Sequence, residues 1–425
     1  MNIIKFIIKI IIEIFFYIFK YKNYEDTIIS LLGSVGEYNI IFVKIFQWTC
    51  INNNSEDNKY ITDRIVNEIH SYTNNTPYND SDINYKSLLD IYLIAQKKGD
   101  IFELDDLKPI NSGSISLVFK AKLNNKNIAV KILRKNIKEK LESGLELLIN
   151  IEYIMYHIPF FNKYSNTKIF EKNKLNILNQ INFTNESENL LIFYNDFKNN
   201  KYIMTPNVYV DYTNLDSNII LMDFIDGKYL YELENNELNN YFHPFLKFIM
   251  DSLFIKNIFH CDLHQGNILF FCKVTNGKII YRIGIIDMGM VTKINIDEIN
   301  FIYLWLNGIF NYKFLELIEY MENINNHSHI FENNTTNEKC FKHIRNLYNK
   351  KEIFCDLKTE DVIRDTHKFL GIFYKYNCKI SSRFSFFILS LIPIFSLLLK
   401  LGPNIEKSDY IKIQLDKMSN NSLLD

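Results

Sequence analysis

Several things are missing from this 425-residue sequence, and each absence narrows what it can be. There is no basic excess: 48 Lys and Arg stand against 49 Asp and Glu, for a formal net charge of -1, so nucleic acid is not an expected partner. The six cysteines, Cys50, Cys261, Cys272, Cys340, Cys355 and Cys378, form no C-x-x-C pair and no regular metal spacing. That argues for free thiols in a reducing, intracellular compartment. Cys261 alone reads as a small buried hydrophobe rather than a nucleophile. No small-residue cleavage site follows the apolar N-terminal stretch, which argues against a secretory signal. Aromatic residues make up 15% of the chain. With the abundant Asn, Ile and Lys they reflect AT-rich codons, so runs such as INNNSEDNKY are given no functional meaning.

Two apolar stretches raise a membrane question. In NIIKFIIKIIIEIFFYIF the charges Lys5, Lys9 and Glu13 recur every fourth residue and form one polar stripe on a helix. About a dozen apolar residues at roughly -0.5 kcal/mol each nearly cancel these charges at roughly +2 to +3 near a bilayer centre. The balance leaves two readings, a helix lying on or anchored to a membrane and a helix packed on the protein itself. The second stretch, FSFFILSLIPIFSLLL, is short for a span and carries Pro393, and it reads as a buried core helix.

Residues 1–100 read as a helical extension, within which SDINYKSLLDIYLIAQKKG has a cap at its start and ends at Gly99. Alternation then replaces the helical period. SISLVFKAKL and NIAVKIL flank a short turn and predict a β-hairpin. A helix is expected from Ile137 to Ile158 and another from Asn185 onward. NVYVDY and NIILMDFIDG read as a further strand pair. From Lys228 the pattern is mainly helical. The expected fold is α+β and two-lobed, with the extension at 1–100, a sheet-bearing lobe at 101–224 and a helical lobe at 225–425.

The chemistry concentrates in FHCDLHQGNILFF, Phe259 to Phe271, which sets two histidines, an aspartate and an asparagine between apolar walls. Behind it ILFFCKV and KIIYRIGII flank Asn276-Gly277, the preferred centre of a tight hairpin turn. Folding there returns Asp287 to the side of Asn267, with Asp262 on the same loop. Oxygen donors of this kind suit a hard cation, and magnesium takes only one or two from protein. The set matches what phosphoryl transfer needs: Asp262 to orient the attacking hydroxyl, Asn267 and Asp287 to hold the metal on a triphosphate. H-x-D-x-x-x-x-N and D-M-G stand at kinase-like spacing. Either half alone would occur by chance; the hairpin between them makes the pair specific. His260 is expected to be a core histidine bonded to backbone.

Such a site needs a lysine on an upstream strand. IAVK supplies Lys131, with Ala129 on the same strand face leaving room for an adenine ring. A lysine on a strand would mean nothing by itself. Its carboxylate partner would be Glu186 or Glu188 on the helix expected from Asn185, and LMDFIDG, with Asp223, would offer its backbone to the base and connect the lobes.

These motifs together resemble the UbiB (aarF-domain) family of atypical protein-kinase-like proteins, linked with coenzyme Q biosynthesis. The likeness runs from about residue 40 to about residue 400. HCDLHQGNIL is similar to the family's H-A-D-P-H-P-G-N-I-L and IIDMGMV to its D-F-G-M-V. PINSGSISLVFKA resembles the loop that replaces a glycine-rich loop over the nucleotide, which implies nucleotide contacts from Ser112, Gly113 and Ser114. QINFTNESENL resembles E-L-D-F-x-x-E-A-x-N and selects Glu186 as the partner of Lys131. FVKIFQW resembles the K-x-G-Q motif, with Lys44 and Gln47 retained and Phe46 in place of glycine. Gln180 and Asn182 replace the acidic pair of a regulatory element.

The resemblance implies magnesium-dependent ATP binding, ATPase or small-molecule kinase activity, and a membrane lipid or isoprenoid quinone precursor as partner; a homodimer stays open. Lys131, Glu186, Asp262, Asn267 and Asp287 are all kept, which implies retained nucleotide chemistry with altered control. An aminoglycoside- or choline-kinase-like phosphotransferase and a nucleotide-binding scaffold are the rivals. No A-P-E follows Met290, so a platform for peptide substrates is not expected.

Overall fold

The structure is a computed structural model describing residues 3–39, 41–42, 62, 64–65, 68, 76–157, 174, 177–311, 313–324, 330–331, 337–353, 368–369, 371–373, 375–376, 378 and 381–402. Its contacts divide the chain into two units, the first Met1–Asn200, Met204–Gly227 and Gly284–Met290, the second Lys201–Ile203, Lys228–Ile283 and Val291–Asp425.

In the first unit α1 (Ile3–Ile18) and α2 (Tyr24–Tyr38) pack on each other. Glu13, from the polar stripe of α1, is buried and ion-paired to Lys22 at 2.7 Å. The apolar side of the helix, including Ile11, Phe15, Ile18 and Phe19, is exposed. This is the reverse of a helix that buries its greasy face in its own protein. Past α2, Asn39 Nδ2 donates to the Lys140 carbonyl at 2.8 Å. The contact is made on α4 (Ile137–His157) beside Gly144, where an added Cβ would fall 2.5 Å from Asn39 Oδ1.

Helix α3 (Tyr85–Lys98) begins where Asn84 accepts the Ser87 N–H and stops at Gly99, whose φ of 75° is the left-handed C-terminal cap a glycine favours. Its Leu88, Ile91, Ile94 and Ala95, at helical spacing, join the core under the sheet. That sheet is antiparallel, in the order β1 (Phe102–Leu104), β3 (Ser116–Leu123), β4 (Lys126–Leu133), β6 (Ile219–Asp223), with β2 (Asn111–Ser112) also on β3. The β3–β4 turn places Asn124 and Asn125 at φ of 51° and 65°, the signature of a tight hairpin. Helix α5 (Phe183–Phe197) starts two residues before the expected Asn185, because Asn182 caps it by accepting the Asn185 N–H.

One expected strand is corrected. Of NVYVDY only Val208 makes a bridge, to Met222, and Val210–Leu215 is a short helix, α6. A helical turn buries Tyr212 and lets its hydroxyl donate to Asp100 at 3.0 Å, and this local demand overrides the alternating pattern.

In the second unit α7 (Phe242–Met250) runs into a π-helical turn, Asp251–Ile255, and Asn257 at φ 54° turns the chain into β7 (Ile258–His260). β7 pairs antiparallel with β10 (Val291–Lys293), His260 opposite Val291. β8 (Ile268–Thr275) and β9 (Lys278–Ile285) are neighbours in a sheet that β5 (Ile203–Met204) joins on β9. Asn276 and Gly277 between them lie at φ of 51° and 72°, as the Asn-Gly signal predicts.

Beyond these come α8 (Ile296–Asn311), α9 (Phe314–Ile324), α10 (Asn337–Asn349) and α11 (Ser382–Leu401). α11 buries Phe384, Phe387, Leu391, Ile394 and Leu398 and is a core helix, as its sequence predicts. Among the described residues no helix is long and apolar enough to cross a membrane.

Candidate functional site

The first unit holds a buried charge triad. Lys131 points from the middle of β4, between Val118 on β3 and Ile220 on β6. Its Nζ lies 2.5 Å from Glu186 Oε1 and 2.8 Å from Asp287 Oδ2. Helical phase decides between the two candidate glutamates: Glu186 is buried and Glu188 is exposed. Phe183, one turn earlier on α5, puts its ring 5.3 Å from the ammonium.

Burial alone would push Lys131 down, but the Asp287 and Glu186 carboxylates outweigh it and hold the ammonium above its ordinary range. Burial pushes the Glu186 carboxyl up, the charge of Asp287 adds to this, and Lys131 offsets only part. Glu186 Oε2 is buried and completes no hydrogen bond, although the Met288 backbone lies toward it. Two carboxylates thus share one cation.

The segment Asp287–Met290 is gripped from α5 and the turn before it. Asn189 Nδ2 donates to the Met288 carbonyl at 3.1 Å and Gln180 Nε2 contacts Met290 Sδ. Asp287 Oδ1 accepts the Gly289 N–H at 2.9 Å, and a Cβ on Gly289 would come within 3.3 Å of that oxygen. Asn189 was not among the residues singled out from sequence. Its signal is the three-residue spacing from Glu186, which puts both on one helix face.

In the second unit the loop after β7 is built around its own side chains. Buried His260 accepts the Asp262 N–H on Nδ1 at 3.2 Å, which is the backbone-bonded core histidine expected. His264 Nδ1 accepts the Gly266 N–H at 3.1 Å. Asn267 Nδ2 donates to the Asp262 carbonyl at 2.9 Å, which fixes the amide and leaves Oδ1 as an acceptor. Cys261 is buried with its thiol toward the Phe259 carbonyl.

Ala129 is buried on the Lys131 side of β4. Asp223 spends its carboxylate on Lys126 at 2.5 Å and the Tyr209 hydroxyl at 3.1 Å. Ser112 and Ser114 are both buried, and the Ser112 hydroxyl is committed to the Thr76 carbonyl at 2.6 Å. Gly113 donates its N–H to the Ser116 carbonyl. Asn182 is the α5 cap already described. Lys44 and Gln47 lie outside the described residues.

Each unit carries a hard oxygen donor of the kind magnesium takes, Asp287 in the first and Asn267 in the second. Among the described residues no group of three His, Cys, Asp or Glu stands together as a metal cage.

A family model described as the ABC1 atypical kinase-like domain matches residues 93–321. Relatives named probable protein kinase UbiB include one from Aliivibrio fischeri (strain ATCC 700601 / ES114), 25% identical over 214 residues, 48% of this chain and 38% of the relative. Another, from Blochmanniella pennsylvanica (strain BPEN), is 25% identical over 220 residues, 50% of this chain and 39% of the relative. The matches therefore span less than half the length of either relative.

Among solved structures, a complex of Rv3197 with erythromycin from Mycobacterium tuberculosis aligns with TM-score 0.41 and 15% identity over 71% of this chain and 78% of the other. The Rio2 kinase–ADP/Mg2+–phosphoaspartate complex from Chaetomium thermophilum aligns with TM-score 0.32 and 10% identity over 79% and 96%. These two are distant likenesses of fold and bear no further weight. The α+β fold is kinase-like, and with more than half of its length inside the family model the chain belongs to the ABC1, or UbiB-type, atypical kinase-like family.

Proposed function

We propose that the chain is an ATP-dependent atypical kinase or ATPase. The observation that carries this reading is the buried triad Lys131–Glu186–Asp287. A lysine held this deeply by two acids is costly as a mere stability device, and it is useful where a phosphate will take over one acid's place. In this reading Glu186 positions Lys131, Lys131 meets nucleotide phosphates, and Ala129 makes room for the base. Asp287 and Asn267 would hold magnesium, which when bound neutralises charge on the phosphoryl oxygens. Asp262 would orient the attacking hydroxyl or water. The Ser112–Ser114 loop would cover the phosphates, Asp223 would mark the backbone that meets the base, and Lys44, Gln47, Gln180 and Asn182 would regulate.

The acceptor is proposed to be a membrane lipid or quinone precursor, or water. The outward apolar side of α1 supports a location at a membrane surface.

Magnesium-ATP should stabilise the protein by about 2.7 kcal/mol at a hundredfold excess over its dissociation constant, read as a shift in melting temperature. Asp287→Asn should remove that gain. Asp262→Asn should abolish turnover and spare binding. Binding without turnover, with or without lipid vesicles, would favour a nucleotide-dependent scaffold instead. No binding at all would end the proposal.

A further inference from the structure

We infer that Arg134 is a positioning residue, tying the segment Thr76–Asp82 to the loop Asn111–Ser116 and so setting the shape of that loop for phosphate binding. The inference rests on the proposed nucleotide function for its purpose, though not for its geometry. Arg134 follows Lys131 by three residues, just past the end of β4, and is only 4% exposed. Its fork is spent almost wholly on backbone. Nε donates to the Gly113 carbonyl at 3.1 Å, Nη1 to the Pro77 carbonyl at 3.1 Å, and Nη2 to the Thr76 carbonyl at 3.2 Å. Nη2 also reaches Ser112 Oγ at 2.8 Å, and Nη1 lies 3.4 Å from Asp82 Oδ2.

Thr76 and Ser112 bond each other directly as well: the Thr76 N–H donates to the Ser112 carbonyl at 2.7 Å and the Ser112 hydroxyl returns to the Thr76 carbonyl at 2.6 Å. Lys140 closes the group from α4, on Asp82 Oδ1 at 2.9 Å.

Two features make this more than a weld. The bonds run to carbonyls on two separate segments, so the guanidinium fixes their spacing as well as their presence. Lysine, with three rotatable donors on one atom, cannot span the same set. Second, Ser112, Ser114 and Ser116 are all buried. The Gly113 N–H is already spent on the Ser116 carbonyl, so what such a loop has left to give a phosphate is the backbone N–H of Ser114 and Ile115, and backbone donors bind anions well when they are held in place beforehand. In a loop without a run of glycines, Arg134 supplies that restraint from below.

The test uses the full chain, wild type against Arg134→Lys and Ser112→Ala. Without nucleotide, backbone hydrogen exchange at Thr76 and Gly113 should become at least tenfold faster in both variants. By calorimetry, the magnesium-ATP dissociation constant should rise five- to tenfold while that of adenosine, which has no phosphate, stays unchanged. Unchanged exchange would overturn the clamp. Faster exchange with equal losses for ATP and adenosine, or with no loss for either, would reduce Arg134 to a stabilising contact and overturn the positioning role. A wild type that binds no ATP would overturn the nucleotide reading and the purpose assigned to the loop, while the exchange data would still judge the clamp. If Arg134→Lys fails to fold, Ser112→Ala carries the test.

Discussion

At the scale of single residues, the buried charges set the energetics. Lys131 neutralises two acids at once, so removing it and removing one acid are unequal changes. Lys131→Met would leave Glu186, 1% exposed, beside Asp287 with no counter-charge, and an uncompensated buried charge costs about 3–5 kcal/mol. Glu186→Gln keeps an acceptor for Lys131 and leaves it Asp287, so its cost should stay under about 1.5 kcal/mol. Adding Glu186→Gln to Lys131→Met should recover part of the loss, a coupling that denaturant titration of the double-mutant cycle measures directly. Additive effects would mean the pair is not coupled in solution. Magnesium-ATP affinity should fall in Glu186→Gln despite its mild effect on stability.

Asp82 gives a pH test. Burial would raise its pKa, but hydrogen bonds from Lys140 and the Asn79 backbone and the charges of Lys140 and Arg134 outweigh this and hold it below its ordinary value. A depressed carboxylate stabilises the fold above its unfolded pKa of about 3.9, and that gain is lost as pH falls through the lower folded value. The wild type should therefore exceed Asp82→Asn in denaturant midpoint at pH 7, and the gap should close below about pH 4. A gap that is constant with pH would assign the effect to shape rather than charge.

Among the elements, those with a local chemical cause were legible and those with a distant cause were not. The β8–β9 hairpin follows from Asn276-Gly277, and it yields a clean prediction. A Cβ on Gly277 would touch nothing within 4 Å, so Gly277→Ala tests backbone strain alone at φ 72°. It should cost about 1–2 kcal/mol, seen in the denaturation midpoint, with magnesium-ATP binding retained. Gly308 makes the opposite case: there a Cβ would meet the Phe314 ring at 2.7 Å, so its substitution would be a packing clash.

α3 was equally legible, because Asn84 and Gly99 carry its two caps. NVYVDY was misread because alternation over six residues cannot register that Tyr212 must reach Asp100, far away in sequence. Arg134 was missed for the same reason: a basic residue at a strand end looks solvated until Thr76 and Asp82 are seen against it. Lys131 could be singled out from its strand, while its partner Glu186 needed the family likeness, since Glu186 and Glu188 share one helix and otherwise only its phase separates them. The loop spacing of Asp262 and Asn267 was readable because five residues suffice for the asparagine side chain to turn back on the aspartate's own carbonyl.

For the whole molecule, the open question is what meets the outward side of α1. Several large apolar side chains stand there about half exposed, Ile11 at 59%, Phe15 at 48%, Ile18 at 64% and Phe19 at 58%. Fully burying a side chain of this kind is worth about 1.5–3 kcal/mol, so finishing the burial of these would gain roughly 4 kcal/mol. Restricting the molecule to a surface costs at least about as much, so the apolar term alone leaves attachment marginal. Charge can tip it. Exposed Lys20 follows the helix beside this side, whereas Lys5 and Lys9 share the stripe of the single acid Glu13, which is buried and neutralised by Lys22. Each lysine near an anionic lipid surface adds about 1 kcal/mol, screened within about 10 Å at 0.1 M salt. The protein should therefore sediment with vesicles containing anionic lipid at low salt, weakly with neutral vesicles, and less as salt rises. Changing Ile11, Phe15 and Phe19 together to serine should weaken anionic-vesicle binding at least tenfold without lowering the melting temperature, because the exposed face contributes little to folding. Equal binding by the triple variant, or none by the wild type, would assign that face to a contact with protein rather than lipid.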